Sequence, residues 1–154
     1  MPSLDRNLTD DQIKPQVGCI GLGRLGGAIA ANLLAAGFEV GGYRRHAREE
    51  FAAMGGKPAA SPAALSADAD VIISCLPDEK ALEDVISGPS GLLAAARPGQ
   101  ILIEVSTLSI SEKQRQYVRL AAAGVAMLDC PLSGNPDFAR ARPAVAFASG
   151  DADP

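Results

Sequence analysis

Aromatic residues are scarce in this chain: no tryptophan, two tyrosines and four phenylalanines, 4% of 154 residues. A core built mainly from large rings is therefore excluded, and the abundance of alanine and glycine favours helices pressed closely onto a sheet. No apolar run reaches the eighteen or so residues that a membrane-spanning helix needs. Residues 1–15 are polar and lack the apolar segment of a secretory signal. No block of like charge forms a tail, and the net charge of -4 argues against a general nucleic-acid binder, which needs a basic surface. Three cysteines are an odd count, expected as reduced thiols, and the one histidine, His46, is the sole imidazole that could activate any of them. These absences point to a cytoplasmic protein with no membrane and no nucleic-acid partner, and no metal site is expected.

What is present is ordinary for a globular domain: 47% hydrophobic and 21% charged residues, in a length suited to one core. Short apolar runs alternate with helical patterns. Strands are expected over 17–20, 38–43, 71–76, 100–105, 125–130 and 144–149, with a weak candidate over 57–60 that Pro58 interrupts. Helices are expected over 24–36, where Leu25, Ile29 and Leu33 recur every fourth residue, and over 47–54. Ser61-Pro62 and Asp78 read as helix starts, and Ser109 with Glu112 reads as a capping box opening a long helix to Ala123. Strands that are apolar throughout, alternating with helices, imply a parallel sheet covered on both faces. The fold class is α/β, doubly wound, with 17–20 and 71–75 as adjacent central strands.

The first strand runs into Gly21, Gly23 and Gly26, spaced G-x-G-x-x-G, and then into the first helix. In the dinucleotide-binding, or Rossmann, fingerprint the first glycine makes the turn and the second lets a pyrophosphate approach the backbone. The third lets helix and strand pack, and the free N–H groups at the helix start face the phosphates. The loop residues Gly21, Leu22, Gly23, Arg24, Leu25 and Gly26 are thus candidate cofactor contacts. Roughly 20 residues on, where an acidic residue would read the ribose hydroxyl of NAD, stand Tyr43-Arg44-Arg45-His46. Guanidinium groups bind a 2′-phosphate bidentately, so Arg44 and Arg45 favour NADP over NAD.

With these residues placed, the chain resembles the N-terminal domain of the β-hydroxyacid dehydrogenases, the group that includes 3-hydroxyisobutyrate and 6-phosphogluconate dehydrogenases. The resemblance covers residues 17 to about 151. GLGRLG is similar to the family's GLGxMG, and Tyr43-Arg44-Arg45 to its Tyr-Asn-Arg. Cys75-Leu76-Pro77-Asp78 resembles Met-Leu-Pro-Asp, a loop that in the family lies against the cofactor. Val105-Ser106-Thr107-Leu108-Ser109 resembles Met-Ser-Thr-Ile-Ser, whose threonine approaches the nicotinamide ribose. Asp129 to Asn135 resembles Asp-Ala-Pro-Val-Ser-Gly-Gly, which holds a substrate carboxylate. The resemblance therefore adds Cys75, Leu76, Pro77 and Thr107 as cofactor contacts, and Ser133, Gly134 and Asn135 as substrate contacts.

Two departures accompany it. Asn135 stands where the family has glycine. The family's all-α C-terminal domain, which carries its catalytic lysine, does not occur in residues 1–154, and neither Lys57, Lys80 nor Lys113 falls in a matching motif. The expected organisation is an N-terminal extension over 1–15 and a NAD(P)-binding domain over 16–154, with no catalytic residue in the chain. The implied chemistry of a complete enzyme is hydride transfer between NADP(H) and a small 3-hydroxyacid or its aldehyde or keto form. Residues 1–154 alone would then be inactive, and self-association through the face the other domain covers is expected. Two alternatives stay open: a non-catalytic NADP-binding sensor or docking module, and the cofactor domain of an imine reductase.

Overall fold

A computed structural model of the chain describes residues 14–46, 48–133, 145–146 and 149. Six strands form one parallel sheet: β1 (Val17–Ile20), β2 (Val40–Tyr43), β3 (Lys57–Pro58), β4 (Val71–Ser74), β5 (Ile101–Glu104) and β6 (Ala126–Asp129). Their order is β3-β2-β1-β4-β5-β6, which places β1 beside β4 at the centre. That is the strand order of the doubly wound dinucleotide folds. The helices are α1 (Arg24–Ala35), α2 (Arg48–Ala53), α3 (Pro62–Asp68), α4 (Glu79–Ser87) and α5 (Ile110–Ala122).

Strand β1 explains why its run is apolar throughout. Val17 and Cys19 face one core with Leu22, Ala30, Val40 and Phe51, while Ile20 faces the other with Leu65, Ile72, Leu82 and Leu102. Successive residues of a strand point to opposite sides, so a strand buried on both needs apolar residues at every position. Strand β2 meets the same demand with glycines. A Cβ on Gly41 would lie 2.7 Å from Leu65, and one on Gly42 only 2.3 Å from Phe51, so α3 and α2 press onto the bare backbone.

Three expectations need adjusting. The strand expected from residue 38 begins at Val40, because α1 ends in a turn around Gly37, which sits at φ 79°. The weak candidate at 57–60 does join the sheet, as a two-residue edge strand, and Ala59 beyond it still donates to Gly42 (2.8 Å). At the edge Pro58 interrupts no second ladder. The strand expected over 144–149 is described only at β8 (Val145–Ala146), which pairs antiparallel with β7 (Leu132–Ser133) apart from the main sheet. Ser149 is bridged to Asp129.

Candidate cofactor cleft

The carboxyl ends of β1, β2 and β4 border a cleft of about 360 Å³, within the range of small-molecule sites. The glycine loop forms its centre. Gly21 sits at φ 83°, and a Cβ there would lie 1.9 Å from the Cys75 carbonyl oxygen. A Cβ on Gly26 would lie 2.0 Å from the Gly21 oxygen, so this glycine lets α1 start against the turn. Gly23 is different: nothing stands within 4 Å of a Cβ built there, and its φ of -76° suits any residue. Internal packing therefore gives no reason for a glycine at 23. Helix α1 begins there with no side-chain cap and no acidic residue in its first turn. The Gly26 N–H is turned onto the Cys75 sulfur, and the other first-turn N–H groups together with the bare backbone make the donor set a pyrophosphate fits.

The expected contacts separate into three groups. Gly21, Leu22, Gly23, Arg44, Arg45, Leu76 and Pro77 line the cleft, although the Leu22 side chain itself is buried in the core with Phe51. Arg24, Leu25, Gly26, Cys75 and Thr107 do not line it: Gly26 is a packing residue, Cys75 supports Gly21 from behind, and Thr107 stands exposed after β5. Ser133 lies in β7, while Gly134 and Asn135 fall outside the described residues.

At the end of β2 the two arginines are unequal. Arg44 is paired with Glu50 of α2 at 3.3 Å, whereas Arg45 is exposed and has no ion pair among the described residues. The carboxylate that Arg44 meets thus comes from α2 rather than from the strand end. Arg48, outside the cleft lining, donates to the Arg44 carbonyl (3.5 Å) and the Ala60 carbonyl (3.4 Å), spanning the turn. The far wall was also unforeseen: Val85, Gly88, Pro89 and Ser90, from the end of α4. The Gly88-Pro89-Ser90 turn signal marks a loop, but nothing local says that it returns to the glycine loop.

Beyond β4 a buried polar network joins neighbouring strand ends. Glu104, fully buried at the end of β5, accepts from the Ser74 hydroxyl and, at 2.6 Å, from the Ser106 N–H. Ser106 Oγ accepts from the Leu76 N–H at 2.7 Å. Lys113 of α5 donates to the Ser106 carbonyl (2.6 Å) and to Asp129 at the end of β6. Burial pushes the Glu104 carboxyl above its usual range. Burial also pushes the Cys19 thiol up to about 12, and raises Cys75, with the Glu104 charge adding to the latter. Among the described residues no cluster of metal-ligating side chains occurs, and no helix is long and apolar enough to cross a membrane.

Residues 16–154 match the family model of the NAD binding domain of 6-phosphogluconate dehydrogenase. The chain belongs to that family. It is an NAD(P)-binding domain of the hydroxyacid dehydrogenase type. Among curated relatives, L-threonate dehydrogenase of Cupriavidus necator is 36% identical over 139 residues, covering 89% of this chain and 47% of that protein. Cytokine-like nuclear factor N-PAC of Mus musculus is 32% identical over 136 residues, 88% of this chain and 24% of that protein. Among solved structures, Psf3 in complex with NADP+ and 2-OPP superposes with TM-score 0.83 at 33% identity, covering 89% of this chain and 49% of that one. Mycobacterium tuberculosis 3-hydroxyisobutyrate dehydrogenase with L-serine gives TM-score 0.82 at 31% identity, covering 91% and 48%. The chain spans half or less of the length of these relatives.

Proposed function

We propose that residues 16–154 form the cofactor half of an oxidoreductase that transfers hydride between NADP(H) and a small 3-hydroxyacid or its aldehyde or keto form. The observation that carries this reading is the pairing, in one cleft, of the open backbone at Gly23 with two arginines at the end of β2. When bound, the nicotinamide ring supplies or accepts the hydride. The residues of this chain hold and orient: the α1 N–H groups receive the pyrophosphate, Arg45 and Arg44 receive the 2′-phosphate, and Leu76 and Pro77 form an apolar wall. Support for NADP comes from the exposed guanidinium of Arg45, which has no ion pair among the described residues, and from the NADP+ in the similar Psf3 structure. Ser133, Gly134 and Asn135 are proposed to meet the substrate carboxylate. The proton donor is proposed to lie outside residues 1–154, so that the chain alone binds cofactor without turnover.

Calorimetric titration of Arg45→Ala tests the reading. A charge-assisted hydrogen bond contributes about 1.5–3 kcal/mol, so NADP+ should bind about tenfold to a hundredfold more weakly while NAD+ binding is unchanged. Equal loss for both cofactors, or no loss, contradicts the assignment. A second reading, a cofactor-sensing module without chemistry of its own, rests on the similarity to a protein named as a nuclear factor. It predicts the same binding and no substrate-dependent NADPH oxidation even in a full-length protein.

A further inference from the structure

Ser106 is held by all of its polar groups at once. Its N–H donates to Glu104 (2.6 Å), its hydroxyl accepts from Leu76 (2.7 Å), and its carbonyl accepts from Lys113 (2.6 Å). These bonds tie together the segments that follow β4 and β5, and through the Lys113–Asp129 ion pair they reach the end of β6 as well. The strand order gives this a direction. If Arg44 and Arg45 after β2 hold the adenosine end and the glycine loop after β1 holds the pyrophosphate, the remaining half of the dinucleotide extends over β4 and β5. Leu76 and Pro77 line the same cleft as Arg44 and Arg45, and Thr107, which directly follows Ser106, stands beyond it toward β5.

Lys113 is 7% exposed, an unusual place for an ammonium group. Its pair with Asp129, whose side chain is 40% exposed, contributes little net stability compared with an apolar side chain of similar size, because desolvation of the ammonium offsets the attraction. A methionine or leucine would fill the same space on α5. What the ammonium adds is directional bonding to two strand ends.

We propose that Lys113 is a positioning residue: through Ser106 it fixes the Thr107 segment against the Leu76–Pro77 wall of the cleft, so that the segment receives the nicotinamide half of the cofactor. This inference rests on the cofactor reading above. Lys113 itself touches no part of the cleft, so its effect must pass through the loops.

The experiment is calorimetric titration of the whole chain with two probes: NADP+, and adenosine 2′,5′-bisphosphate, which carries the 2′-phosphate but no nicotinamide. In Lys113→Met and in Ser106→Ala, NADP+ affinity should fall at least about fivefold, the scale of one ordinary hydrogen bond. Binding of the bisphosphate should stay within about twofold of the parent. A purely structural role would weaken both probes together, and equal losses, or no loss in either variant, overturn the inference. Ser106→Ala removes the hydroxyl's bonds to Leu76 and Glu104 but keeps the carbonyl that Lys113 reaches, so a loss confined to NADP+ supports the Ser106 link, and no loss overturns the inference even if Lys113→Met does not fold. An unmodified chain that binds neither probe overturns the cofactor reading itself, a result distinct from equal losses in the variants.

Discussion

Alanine substitution of the three loop glycines, one at a time, should separate folding from binding. Gly21→Ala forces an L side chain to φ 83° with its Cβ 1.9 Å from the Cys75 oxygen. The left-handed conformation costs about 1–2 kcal/mol, and relieving the overlap a further ~1–3 kcal/mol. Gly26→Ala meets the Gly21 oxygen at 2.0 Å and bears the second cost without the first. At roughly 2–4 °C per kcal/mol for a domain of this size, Gly21→Ala should lower the melting temperature by roughly 4–20 °C and Gly26→Ala by roughly 2–12 °C. For Gly23→Ala the space is open and φ is -76°. The reduced freedom of the unfolded chain is worth ~0.4–1 kcal/mol, against a similar loss at the helix start, so its melting temperature should hardly move. Its NADP+ affinity should fall by at least about tenfold, because the methyl group stands where the pyrophosphate must come against the backbone. Scanning calorimetry and titration of the three variants read both quantities. If Gly23→Ala destabilises the fold as much as Gly26→Ala, or binds NADP+ as the parent does, the division of roles is wrong.

Two further outcomes follow from buried ionisable groups. Glu104 has a raised folded-state pKa because burial disfavours its charge. The folded chain therefore holds that proton more tightly than the unfolded one, and the Glu104 contribution to stability declines as pH climbs from its ordinary 4.5 through the raised value. In Glu104→Gln that decline is absent, so urea unfolding should show the variant gaining on the parent between that pH and neutrality; a constant gap would refute the argument. Cys19, with its thiol pushed up to about 12, should resist iodoacetamide in the folded chain and react once urea unfolds it. Peptide mapping that finds Cys19 alkylated in the native chain would contradict its burial.

The alternation of strands and helices was legible because each apolar run is long enough only for a strand and each helix start carries its own chemistry. Ser61 accepts from the Ala64 N–H (3.0 Å) and Asp78 from the Ala81 N–H (2.7 Å), as their positions before the helices imply. The capping box at Ser109 is only half made. Its hydroxyl accepts from the Glu112 N–H (3.4 Å), but the Glu112 carboxylate is buried and accepts from Gln116 (2.6 Å). Glu112, Lys113 and Gln116 form a polar inner face on α5, where the pattern of charges reads as a solvated surface. That is why Lys113 stood out neither as a core residue nor as part of the site. Gly41 and Gly42 weaken β2 as a strand on propensity, yet the approach of Leu65 and Phe51 requires them. The glycine loop and the arginines were readable since the fingerprint is local. The α4 end of the cleft and the Arg44–Glu50 pair were not, since each is a contact made only by the fold.

The central claim, a cleft built for NADP(H), is tested most directly by titrating the unmodified chain with NADP+ and NAD+ under identical low-salt conditions. The account predicts saturable binding of both, with NADP+ tighter by about tenfold or more, the return on at least one charged hydrogen bond to the 2′-phosphate. Equal affinities, or tighter binding of NAD+, would contradict it.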